Sequence, residues 1–314
     1  MGYAFVFPGQ GAQVVGMGAA LAEAFPCARE VFQEVDDALE QHLFRLMVEG
    51  PEADLTLTEN TQPALMAVSM AVVRVLQAEG GVSLARVGRY VAGHSLGEYS
   101  ALCAAGALTL ADCARLLRLR GRAMQAAVPV GEGAMAAILG LDFDAVDAIA
   151  KQAAQDEVCA AANDNAPGQV VVSGHAAAVE RAIALAKEQG AKRAVLLTVS
   201  APFHCRLMAP AADAMAEALA VAAISPPDPA LVANVTARPV EDPAEIRELL
   251  VRQVTGAVRW RETIEFLRDR QIEAIVELGV GGVLTGLTKR IDRDLNGRAV
   301  STPGDIEALI ADLG

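Results

Sequence analysis

The 314-residue sequence predicts an α/β protein, a parallel sheet flanked by helices with a small βαββαβ unit inserted into it. Three observations carry that prediction. β-rich runs alternate with helical patterns along nearly the whole chain, which favours parallel strands joined by crossovers. Residues 90–92 lead directly into Gly93-His94-Ser95-Leu96-Gly97 and an alanine-rich helical stretch, so strand, tight turn and helix follow one another. Between residues 133 and 200 the order is strand, helix, strand, strand, helix, strand, the split βαβ order of a ferredoxin-like unit.

Taken in order, residues 3–7 form a β-rich apolar run that stops at Pro8-Gly9-Gln10-Gly11, a strand feeding a glycine turn. Apolar residues at three and four spacing predict helices over 28–40 and 63–78. In the inserted unit the expected strands are 134–140, 158–162, 168–174 and 194–200, with helices over 143–155 and 175–189. A helix from about His204 to 223 ends at the breaker Ser-Pro-Pro-Asp-Pro (225–229), followed by a strand at 231–235. One helix ends near Val254 and another starts near Trp260. A strand at 274–278, the turn Gly279-Val280-Gly281-Gly282, a helix to about Arg290 and a last strand–helix pair from Ala299 close the chain.

With 53% hydrophobic and 21% charged residues the chain can bury a core, and disorder is excluded. Lys plus Arg number 26 against 39 Asp plus Glu, a net charge of -13, which argues against a nucleic-acid binder. The start MGYAFVFPGQ lacks a cationic leader, and no stretch approaches the roughly 18 uninterrupted apolar residues of a membrane span. The expected location is therefore the cytoplasm, with no membrane partner. Cys27, Cys103, Cys113, Cys159 and Cys205 show no C-x-x-C spacing and no paired histidines, so they read as small apolar residues without a disulfide framework or metal.

The glycine clusters fail the spacing of a phosphate loop. After Gly9-Gln10-Gly11 the third glycine of G-x-G-x-x-G would fall at Val14, and after Gly279 it would fall at Leu284. Gly93-His94-Ser95-Leu96-Gly97 instead matches G-x-S-x-G, in which glycines relieve crowding around a serine at a sharp strand-to-helix turn. A helix N-terminus there favours negative charge beside the serine. The expected organisation is thus an α/β-hydrolase-like catalytic subdomain, residues 1–127 and 201–314, around a ferredoxin-like subdomain, 128–200.

A nucleophilic serine needs a base, and the chain offers four histidines. His42 lies on a polar stretch, His94 adjoins the serine and reads as a packing or positioning residue, and His175 could cap the next helix. His204, at the seam where the inserted unit returns, is the best candidate by elimination. Asp142, Asp144, Asp147, Asp156, Glu157 and Asp164, between Ser95 and His204, belong to the inserted unit and none sits at the end of a main-domain strand, so something neutral is expected to hold the imidazole.

Arg120 is the most informative residue. Thr109 and Asp112 form a capping box, so a helix runs over 110–126. Cys113, Leu117, Arg120 and Met124 share its apolar face, and Arg115, Arg118 and Arg122 lie opposite as solvated charges. A guanidinium on an apolar stripe must be paired, either by a structural salt bridge or by a carboxylate-bearing ligand.

Pro8-Gly9-Gln10-Gly11, GHSLGEYSA at 93–101, Arg120-Gly121, NAPGQVV at 165–171, PFH at 202–204 and LVRQ at 250–253 together resemble the malonyl-CoA:acyl carrier protein transacylase family, in order and over nearly the whole chain. The resemblance implies an acyltransferase without metal or cofactor that moves malonyl from malonyl-CoA to the phosphopantetheine thiol of holo acyl carrier protein. It implies Ser95 as nucleophile, His204 as base, and the main-chain N–H groups of Gln10 and Leu96 as oxyanion hole. The carbonyl of Gln253 would orient His204, and Arg120 would hold the malonyl carboxylate. Phe203, His94 and Gln169 would also bind substrate, Phe203 being the residue type that goes with malonyl over methylmalonyl. One departure is Gly279-Val280-Gly281, where the family commonly has Gly-Pro-Gly. Rival readings are an esterase or thioesterase, the same transfer serving malonate decarboxylation or polyketide synthesis, and a binding-only module. An acidic carrier would need a local basic patch, for which Lys289 and Arg290, with Arg118 and Arg122 behind them, are candidates.

Overall fold

The computed structural model describes residues 2–313. It begins with β1 (Tyr3–Phe7), α1 (Ala19–Ala24), α2 (Pro26–Leu39), α3 (Leu43–Glu49), α4 (Glu52–Thr56), α5 (Thr58–Gly80), α6 (Leu84–Val87) and β2 (Gly88–Gly93). Next come α7 (Gly97–Ala104), α8 (Leu110–Ala126), β3 (Gly133–Leu139), α9 (Phe143–Ala154), β4 (Cys159–Ala166), β5 (Gln169–His175), α10 (Ala176–Glu188) and β6 (Arg193–Leu196). A 3-10 turn at Arg206–Met208 precedes α11 (Ala209–Val221), β7 (Ala230–Ala233), β8 (Arg238–Val240), α12 (Pro243–Thr255) and α13 (Trp260–Asp269). β9 (Ala274–Leu278), α14 (Val283–Ile291), β10 (Asn296–Val300) and α15 (Pro303–Leu313) complete the order.

The α/β prediction holds. Six strands in the order β10-β9-β1-β2-β7-β8 make the large sheet, parallel except for β8, which pairs antiparallel with β7. β1 shows why this sheet is buried on both faces. Phe5 and Phe7 enter one apolar cluster and Ala4 and Val6 the other, as the period of two requires. The second sheet, β4-β5-β3-β6, is antiparallel throughout, in the strand order of a ferredoxin-like unit. One of its faces carries α9 and α10 on a core of its own; the other presents Met135, Ala162 and Val171. No helix among the described residues is long and apolar enough to cross a membrane.

Several elements depart from the sequence reading. α5 starts at Thr58, five residues before the expected 63, because the polar residues Thr58, Asn60, Thr61 and Gln62 are buried and hydrogen-bonded rather than solvated. β8, a three-residue edge strand carrying Pro239, was not foreseen; proline is tolerated there because an edge leaves one side of the ladder free. β6 stops at Leu196, short of the expected 200: Leu197 N–H still reaches Met135 O at 2.9 Å, but the chain then leaves the sheet.

Arg118 is the clearest correction. It is buried, whereas Arg115 and Arg122 are exposed as expected. α8 packs on two faces, not one, because Gly121 admits α5 so closely that a Cβ there would lie 2.5 Å from Glu59 Cα. Arg118 Nη1 donates to Asn60 Oδ1 at 2.9 Å and lies 3.8 Å from Glu59. It is therefore no part of an exposed basic patch.

Candidate active site

The crevice lies at the C-terminal ends of β1 and β2, where ligands collect in open α/β sheets. The Pro8–Gly11 turn follows β1, and Ser95 follows β2 at the start of α7. Ser95 adopts φ +54°, a left-handed conformation that costs a non-glycine residue on the order of 1 kcal/mol or more. The turn is held tight by contact at its far end, where a Cβ on Gly97 would sit 2.2 Å from Phe7 O. Ser95 N–H donates to Asn234 Oδ1 at 2.8 Å, and Asn234 Nδ2 donates to Gly93 O at 2.6 Å, so the residue after β7 pins the turn from below.

Ser95 Oγ is 2.7 Å from His204 Nε2. His204 Nδ1 lies 2.9 Å from the main-chain carbonyl of Gln253, which can only accept, so the proton sits on Nδ1 and the Nε2 lone pair faces the serine hydroxyl. Burial, reinforced by the Arg120 cation, pushes His204 down to about 3, which keeps the imidazole neutral. This is the polarity a general base requires. Among the described residues no carboxylate bonds to the ring; its two partners, Ser95 Oγ and the Gln253 carbonyl, are neutral.

Arg120 reaches the same serine from α8. Its Nη2 donates to Ser95 Oγ at 3.1 Å and to Gln253 Oε1 at 2.7 Å, and its Nη1 donates to Gln62 Oε1 at 2.7 Å. The side chain is buried, and among the described residues no carboxylate lies within ion-pair distance of it. Of the two alternatives left open by the helical face, the structural salt bridge is thus not made. Burial holds the guanidinium below its ordinary range, with Tyr99 and Glu98 acting against that shift. Gln62 is itself oriented by Thr58: the Thr58 hydroxyl donates to Gln10 Oε1 at 2.8 Å and accepts from Gln62 Nε2 at 3.0 Å.

A cavity of about 240 Å³ opens above these groups. Gln10, Leu96, Ser95, Arg120 and His204 form its floor, and Met124, Met135, Val171, Val199 and Phe203 give it apolar walls. Neither Gln10 nor Leu96 N–H finds an acceptor among the described residues, so both remain available to an oxyanion. His94 is half-buried in the wall with Nε2 2.8 Å from Asn165 Oδ1, tilted against Trp260 at 5.7 Å between centroids. Among the described residues no group of three or more His, Cys, Asp or Glu could hold a metal ion.

Eight of the nine residues singled out in the sequence thus converge: Gln10, His94, Ser95, Leu96, Arg120, Phe203, His204 and Gln253. Gln169 does not. It lies one strand repeat, about 7 Å, beyond Val171, and its Oε1 accepts from Arg290 Nη1 at 2.8 Å on the surface. Of the other histidines, His42 is exposed, and His175 Nδ1 accepts from Val158 N–H at 2.9 Å. Sequence reasoning missed Thr58, Gln62, Glu98 and Asn234. The signal available for Glu98 was its place three residues after Ser95, one helical turn behind it.

The acyl transferase domain model matches residues 4–299. The chain is 46% identical to the malonyl CoA-acyl carrier protein transacylase of Salmonella typhimurium over 308 residues, 98% of each chain. The solved acyl-carrier-protein-S-malonyltransferase of Bartonella henselae superposes with a TM-score of 0.97 at 55% identity, over 100% of each chain. A malonyl-transacylase solved in complex with a type II PKS acyl-carrier protein superposes at 0.96 with 45% identity, covering 99% of this chain and 100% of that one.

Proposed function

The chain belongs to the acyl transferase domain family, and from that premise we propose that it carries out the malonyl-CoA:acyl carrier protein transacylase reaction of fatty-acid synthesis. Malonyl passes from coenzyme A to the phosphopantetheine thiol of holo acyl carrier protein. The observation that carries this reading is Arg120, a buried cation 3.1 Å from Ser95 Oγ and cradled by neutral amides, which leaves its charge for a donor carboxylate.

In the mechanism, Ser95 Oγ attacks the thioester carbonyl as His204 Nε2 takes its proton. The oxyanion accepts from Gln10 and Leu96 N–H, the tetrahedral intermediate collapses, the C–S bond breaks, and the CoA sulfur leaves with the proton from His204. The carrier thiol then gives its proton to His204 and attacks the malonyl-serine ester; Ser95 recovers the proton as its ester bond breaks. Because the Arg120 cation helps to depress His204, a malonyl carboxylate on Arg120 also strengthens the base. The inserted unit, for which we propose bounds of 128–200, supplies Met135 and Val171 to the pocket wall. Five free cysteines suit a reducing compartment, and the cytoplasm is the proposed place of action.

Intact-mass measurement after brief mixing with malonyl-CoA tests the reading. One malonyl adduct is expected on the wild type and none on Ser95→Ala; an unmodified wild type at saturating malonyl-CoA would overturn it.

A further inference from the structure

Glu98, on α7 directly behind Ser95, is buried and touches neither the cavity nor Ser95 Oγ, yet it is wired to the residues that hold the reacting groups. Its Oε2 accepts from Gln253 Nε2 at 2.8 Å and from Asn234 N–H at 3.3 Å. The same Gln253 Nε2 donates to Ser95 O at 2.8 Å, and Gln253 Oε1 accepts from Arg120. Glu98 Oε1 has no partner among the described residues.

Gln253 therefore works only one way round. With its amide reversed, Nε2 would face the donor Arg120 Nη2, and Oε1 would face two acceptors, Ser95 O and Glu98 Oε2. Three hydrogen bonds would become three repulsions. A carboxylate at 98 is acceptor-only, so it enforces this polarity, whereas Ser95 O alone offers a single acceptor.

We propose that Glu98 is a positioning residue for malonyl selection: its Oε2 locks the Gln253 amide so that Oε1 holds Arg120 beside Ser95 without neutralising it. This rests on the transacylase reading above and adds to it a determinant that never meets the substrate. Burial pushes the Glu98 carboxyl up to about 7, against the bonds from Gln253 and Asn234 and the Arg120 charge, which favour ionisation. A proton on the partnerless Oε1 still leaves Oε2 accepting, so either form serves. For the same reason Glu98→Gln keeps the lock, because the fixed Asn234 N–H demands an acceptor oxygen at the Oε2 position. Glu98→Met fills the space and offers none.

The experiment compares kcat/KM for malonyl-CoA and acetyl-CoA, with holo acyl carrier protein as acceptor, in the full-length wild type, Glu98→Gln, Glu98→Met, Gln253→Met and the Glu98→Met/Gln253→Met double variant. Glu98→Met is expected to lower the malonyl-to-acetyl ratio by roughly tenfold, the scale of one hydrogen bond involving a charged group. Glu98→Gln is expected to stay within about threefold of wild type, and Glu98→Met to change the ratio no further once Gln253 is Met. An unchanged ratio in folded Glu98→Met, a Gln variant as impaired as Met, or full additivity in the double variant would each overturn the proposal. Should Glu98→Met fail to fold, Glu98→Asp, which withdraws the carboxylate by one methylene, is expected to lower the ratio too, and an unchanged ratio there would be equally fatal. A wild type that malonyl-CoA fails to acylate would instead sink the transacylase reading.

Discussion

Two arginines in different regions of the molecule, Arg120 on α8 and Arg261 on α13, are treated in opposite ways. Arg261 ties α13 to the small sheet: its Nη2 meets Asp164 of β4 at 2.8 Å, and its Nη1 meets Glu265 of the same helix at 2.9 Å. Burial opposes its charge, but Asp164 and Glu265 outweigh that and hold it above its ordinary range. Arg120 is more deeply buried, donates only to amide and hydroxyl oxygens, and is held below its range by burial. The difference separates a cation satisfied within the fold from one left for a ligand. Amide oxygens hold Nη1 and Nη2 and fix the fork without cancelling its charge, while Nε has no partner among the described residues.

The largest effect expected of breaking this contrast is in Arg120→Ala. Leaving a bound carboxylate unpaired in a buried site costs about 3 to 5 kcal/mol, so malonyl transfer should fall by roughly two to three orders of magnitude while acetyl transfer rises relative to it. The malonyl-to-acetyl ratio of kcat/KM measures this, and an unchanged ratio in a folded variant would make Arg120 merely structural.

Arg261→Met should show the reverse. It leaves Asp164, 2% exposed, without its cation, and a loss of about 2 to 3 kcal/mol of stability is expected in urea unfolding. The malonyl-to-acetyl ratio should not move; a shift as large as that in Arg120→Ala would erase the distinction.

The smallest effect is on pH dependence. Burial first, and then Arg120, holds His204 near 3, so wild-type serine acylation should show no acid limb near 6.5, the usual imidazole value. In Arg120→Met one depressing influence is gone and His204 rises, so the base becomes protonated at a higher pH on the way down. Rapid-quench acylation at descending pH should show the acid limb displaced upward; a displacement downward would mean that the cation does not act on the base.

Much of this site was legible because special residues mark it. Ser95 stands between glycines at a strand-to-helix turn, and Arg120 is a charge on an apolar helical face. The residues that support them carry no such mark. Thr58, Asn60 and Gln62 form a polar run that reads as solvated, yet they are buried because Gly121 lets α5 close on α8. Arg118 was misread for the same reason, since periodicity along one helix reports one face and does not reveal a second neighbour. Glu98 and Asn234 act through residues more than 130 positions away in sequence, a distance that local patterns do not span. Gln169 failed in the opposite sense: it belongs to a matching motif, but its strand carries it past the cavity.

Part of the cavity wall and its floor belong to different sheets. Ser95 and Arg120 come from the large sheet and its helices, whereas Met135 and Val171 come from the helix-free face of the small one. The small sheet is tied at backbone level to the segment that leads into α13, where Asp164 N–H reaches Val258 O and Val258 N–H reaches Ala162 O, both at 2.9 Å. The arrangement is modular in an evolutionary sense. Substitutions on the inner face of the small sheet can resize the chamber that receives the acyl group while the bond-breaking apparatus stays as it is, so a lineage can drift toward bulkier donors without first surrendering its catalyst.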